Sequence, residues 1–94
     1  MKVLTYLQES DFWDDLNSMN IELVKETVNT ILTDIESNSK KKKTKIFEVE
    51  ISDEYILDFA LEKSEYLSTL NNLLPTLIKH EEYELCSKVK EVLK

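Results

Sequence analysis

The sequence predicts a mostly helical α+β domain with one short β element, and three observations predict it. Apolar residues recur at steps of three and four over 21–35 and again over 55–78, the spacing of amphipathic helices. The stretch Lys45–Ile51 alternates instead, with Phe47, Val49 and Ile51 on one face of an extended chain and Ile46, Glu48 and Glu50 on the other. A length of 94 residues suits a single small domain. The expected order is a long helix, a strand, a kinked long helix and a C-terminal helix. It divides into an N-terminal helical part (1–39), a lysine-rich loop (40–45), a strand (46–51) and a C-terminal helical part (53–94).

Met1–Leu7 alternates in part and reads either as a strand or as the first turns of a helix. Ser10 is placed to cap a short helix carrying Phe12 and Trp13, with Asp11 near its positive end. Trp13, the only tryptophan, is read as a core anchor or as an exposed binding residue. Asn20 caps the first long helix, whose stripe is Ile21, Val24, Val28, Ile31, Leu32 and Ile35. The helix is expected to stop at Ser37–Ser39, where Asn38 can take the left-handed conformation.

Ser52, followed by Asp53 and Glu54, is expected to cap the second long helix. Its stripe is broad: Tyr55, Ile56, Phe59, Ala60, Tyr66, Leu67, Leu70, Leu73, Leu74, Leu77 and Ile78. Such breadth calls for contacts on more than one side. Pro75 is expected to kink or break the helix near Asn71–Leu74. A turn around Lys79–Glu81 then leads to a last helix with Tyr83, Cys86, Val89 and Leu93 on its apolar face.

Composition excludes several kinds of chemistry. The net charge is −7, and every basic residue is lysine. Residues 1–39 hold two lysines and eight acids, 40–45 hold five lysines, and 46–94 hold five lysines and eleven acids. The acidic bulk disfavours binding along a phosphate backbone, and without arginine there is no guanidinium fork to read guanine. No glycine is present, so a glycine-rich phosphate loop is excluded. The single Cys86 cannot form an internal disulfide or a multi-thiolate zinc site, and it suits a reducing cytoplasm. No 18-residue apolar run marks a membrane span. His80, Glu84 and Cys86 are the one grouping of ligand-capable types, too few to close a metal site. Cys86 sits on an apolar face, where a thiolate is disfavoured. The chain is therefore read as a non-enzyme without a cofactor.

Two partial resemblances accompany this reading. Residues 70–93, and chiefly Glu82–Leu93, resemble the UVR motif, the helical hairpin of the UvrB and UvrC type. Tyr83, Glu84 and Val89 fit that pattern, Cys86–Ser87 stand for its paired small residues, and Lys90–Glu91 for its Arg–Asp pair. The resemblance implies a protein-contacting hairpin and carries over no catalytic residue. The expected order strand, helix, helix over 45–80 is similar to that of ribbon-helix-helix proteins. Such a ribbon would turn Ile46, Glu48 and Glu50 outward, and paired glutamates disfavour DNA.

The expected function is that of a small acidic protein-interaction module, an adaptor or inhibitor. Lysine without arginine and the lack of glycine would fit an AT-rich bacterial or phage genome. The candidate partner-binding residues are Trp13, Lys40, Lys41, Lys42, Lys43, Lys45, Phe47 and Val49. The alternative is nucleic-acid binding through the lysine run. The strand needs a partner for its backbone groups. Met1–Leu7, the same strand of another copy and a foreign edge strand all remain open, with self-pairing into a dimer or higher even assembly favoured.

Overall fold

The computed structural model describes residues 2–38, 40–52 and 54–94. Among these the chain forms three strands and four α-helices, in the order β1 (Lys2–Tyr6), α1 (Glu9–Asn17), α2 (Ile21–Ser37), β2 (Lys43–Ile51), β3 (Tyr55–Glu62), α3 (Tyr66–Lys79) and α4 (Tyr83–Leu93). A short 3-10 turn, Lys63–Glu65, joins β3 to α3. The expectation of one short strand within a mostly helical chain is thus overturned. A three-stranded mixed sheet replaces it, in the order β1-β2-β3.

β2 lies in the centre. It pairs in parallel with β1, Leu4 opposite Val49 and Tyr6 opposite Ile51. It pairs antiparallel with β3, Phe47 opposite Phe59 and Val49 opposite Leu57. Both of its edges are therefore occupied within the chain, and the expected pairing of β2 with its own copy is excluded. The parallel pair needs a crossover, which α1 and α2 supply.

The alternation expected for β2 holds from Phe47 to Ile51 but fails at Ile46. The register shifts between Lys45 and Phe47, a β-bulge that leaves Ile46 without an opposite residue on β3. Ile46 and Phe47 are consequently both buried, while Lys45 points outward with Glu48 and Asp58.

Residues 55–62, expected to open a long helix, form β3 instead. Leu57, Phe59 and Leu61 alternate toward the core, whereas Ile56, Asp58 and Ala60 face away. Ser52 does not cap a helix. It takes φ 51° in the connection between β2 and β3, a left-handed value more usual for glycine. Its amide donates to the Tyr6 carbonyl at 2.7 Å and its hydroxyl to the Leu7 carbonyl at 2.7 Å, so one residue ends the hairpin and secures β1.

α2 starts and stops where its residues direct. The Asn20 side chain accepts from the Glu22 amide at 3.0 Å, and Asn38 ends the helix at φ 53° and ψ 41°. α1 begins at Glu9 behind Gln8 with no side-chain cap, so Ser10 is not its cap. α3 runs as one helix from Tyr66 to Lys79 with Pro75 inside it, so the expected break near 71–74 does not occur.

The inner face of the sheet meets the helices in one core. Phe12 of α1, Val28 and Ile31 of α2, Leu70 and Leu77 of α3 and Val89 of α4 pack against Ile46, Phe47 and Val49. Tyr66 ties three elements together. Its hydroxyl donates to the Asp34 carboxylate at 2.8 Å and also bonds the Thr44 hydroxyl. The principal extents of 42 × 33 × 17 Å match a flat two-layer arrangement, one layer of sheet and one of helices.

Candidate protein-binding edge

A strand at the end of a sheet leaves half of its backbone donors and acceptors unpaired, and folded proteins usually protect such edges. β1 is short, at five residues. β3 is longer, at eight residues, and the sequence YILDFALE contains no proline and no lysine. The bulge that could have twisted an edge away lies in central β2. β3 is thus a long edge strand without proline or lysine, whose charges, Asp58 and Glu62, lie on its outer face.

Behind this edge the helical layer leaves a groove. The cavity is about 310 Å³ and is lined chiefly by Leu16, Met19, Leu23, Phe59, Leu61 and Leu73. An aromatic group stiffens its floor. The Phe59 ring stacks on Phe47 at 5.9 Å and meets Phe12 edge-on at 6.1 Å and Trp13 at 6.5 Å. These contacts fix the inward direction of the middle of β3.

The two ends of β3 differ in charge. At its start, Glu9 of α1 accepts from the Tyr55 hydroxyl at 2.7 Å and from the Trp13 indole N–H at 3.0 Å. These two donors hold the Glu9 carboxyl below the usual carboxylate range, and the Glu9 bond raises the Tyr55 phenol. Glu50 and Glu54 stand at the same end. At the far end Lys40, Lys41, Lys42, Lys43 and Lys63 surround a shallow depression of about 370 Å³, with Glu62 and Ser64. One end of the edge is acidic and the other predominantly basic.

The residues expected to bind a partner separate into three places. Trp13 is 37% exposed, next to the β3 edge, with its N–H already bonded to Glu9. Lys40, Lys41, Lys42 and Lys43 gather at the basic end. Lys45 lies on the outer face of the sheet, 3.2 Å from Asp58 and 3.9 Å from Glu48. Phe47 and Val49 are fully buried, because β2 is central, and are not available to a partner.

The residues missed were Leu57 and Leu61, which with Phe59 carry the groove side of β3. Their alternation was present in the sequence, yet neither leucine belongs to the helical stripe drawn through this segment. Cys86 is a buried free thiol, and His80 is exposed at the end of α3. Among the described residues no group of three or more His, Cys, Asp or Glu side chains could hold a metal ion, and no helix is long and apolar enough to cross a membrane. No family model, curated protein or solved structure matches the chain.

Proposed function

We propose that the chain is a small, acidic, non-enzymatic protein-interaction module that accepts an extended protein segment at the β3 edge. The observation that carries this reading is the eight-residue edge strand, free of proline and lysine, beside a largely apolar groove. A strand added there would satisfy the open backbone groups and set alternate side chains against Phe59 and Leu61, the mode of β-augmentation. The buried free thiol of Cys86 suits work in a reducing cytoplasm.

The test is a photo-crosslinking residue at Ala60 on β3, compared with one at Ser87 on α4, both exposed. Protein adducts should form from position 60 and not from 87, and a charge placed in the edge by Leu61→Lys should abolish them in chain that still folds. Adducts that form equally from both positions, or from neither, contradict the reading.

The lysine cluster favours a second reading, contact with a phosphate-rich partner at the basic end. Binding of single-stranded or duplex nucleic acid that weakens steeply with salt would support it. No binding at low salt would remove it.

A further inference from the structure

Resting on the reading of β3 as a strand-accepting edge, we infer that its occupant is the β3 strand of a second copy, antiparallel and centred on Phe59.

Overlap and charge together favour this arrangement, since axes at Leu57 or Leu61 would leave much of the eight-residue strand unpaired. In an antiparallel pair, facing residues point to the same side of the sheet, so a two-fold axis can pass through a residue pair on either face. An axis at Asp58 would set two carboxylates directly opposite, and an axis at Ala60 would set Asp58 opposite Glu62. Like charges in facing positions are unfavourable. An axis at Phe59 avoids both clashes. It pairs Leu57 with Leu61 of the second copy on the groove side, and Asp58 with Ala60 and Ile56 with Glu62 on the outer side. Phe59 then meets its own copy beside the Phe47 and Trp13 rings.

The ends of the strand agree with this centre. Antiparallel pairing places Lys63, and with it the Lys40–Lys43 cluster, against the Tyr55 end of the second copy, where Glu9, Glu50 and Glu54 stand. Opposite charges therefore meet at both ends of the ribbon, although each chain carries −7 overall. Parallel pairing would lay lysines on lysines. The two three-stranded sheets join into one of six strands, and the facing leucines extend over the mouths of the two apolar grooves.

Ala60 provides the test, because its side chain is exposed and next to Lys45 in its own chain. Ala60→Glu can pair with Lys45 in the monomer but faces Asp58 of the second copy, twice per dimer. Ala60→Lys faces the same carboxylate favourably. Sedimentation velocity across 1–500 μM should show a reversible dimer, with the dissociation constant raised about fivefold by A60E and lowered about fivefold by A60K, as expected for two facing charge pairs. Fluorescence of Trp13, the one tryptophan, should shift over the same concentration range. A parent chain that is monomeric at every concentration overturns the inference, as does a dimer that responds to A60E and A60K alike. If the parent is monomeric but edge-dependent cross-links from position 60 to another protein persist, strand acceptance stands and only the second copy is eliminated.

Discussion

Tyr6 shows how one side chain makes the fold pH-dependent. Its hydroxyl donates to Asp15 at 2.8 Å, and burial together with that carboxylate pushes its phenol up to about 12. An unfolded tyrosine ionises near 10. The folded chain holds this proton more tightly, so the contribution is complete below about pH 10 and is lost as pH rises toward 12. Urea midpoints at pH 8 and pH 11 should therefore fall in the parent, and fall less in Tyr6→Phe. Equal losses in the two chains would show that the Asp15 bond carries none of the effect. Ser52 works through backbone shape. Ser52→Ala removes the bond to Leu7 and keeps the β-carbon already present at φ 51°, for an expected loss of about 0.5–1.5 kcal/mol. Ser52→Gly relieves the φ value but not the lost bond, so it should lose less. Identical urea curves for parent and S52A would refute the role given to this residue.

At the scale of elements, helices with side-chain signals were legible and the hairpin was not. α2 announced itself through a regular stripe and through Asn20 and Asn38 at its ends. β3 followed Ser52, Asp53 and Glu54, which imitate a helix cap with acids in the first turn. Tyr55, Ile56, Phe59 and Ala60 happen to fit a helical spacing, although Ile56 is 60% exposed and Ala60 faces outward. The chain has no glycine to mark its turns. Met19, Asn38, Ser52 and Glu81 take positive φ in its place, and only Asn38 belongs to a type that suggests it. The open edge, and with it the candidate site, was hidden by the same error. α3 offers a check on the packing. Leu70 is fully buried, whereas Leu67 is 54% exposed on the same helix. Leu70→Asp would bury an unpaired carboxylate and should cost at least about 3 kcal/mol, while Leu67→Asp should stay within roughly 0.5 kcal/mol. Thermal melts that do not separate the two variants would contradict the assigned faces.

For the whole molecule, the two layers account for the position of the interaction surface. Helices cover the inner face, Lys45, Glu48 and Asp58 keep the outer face charged, and β1 is short. What remains is β3, with lysines at one end and acids at the other. The claim that this strand is the molecule's binding edge is tested most directly by hydrogen exchange of the Tyr55–Glu62 amides as a function of protein concentration. At low micromolar concentration, the amides facing away from β2 should exchange at rates close to those of an open chain. They should become protected as concentration rises toward several hundred micromolar, in step with the dimer fraction, while Phe47 and Val49 in central β2 stay protected throughout. Outward-facing amides of β3 that are already protected in the dilute monomer would contradict the open edge, and outward-facing amides that stay open at every concentration would contradict its pairing with a second copy.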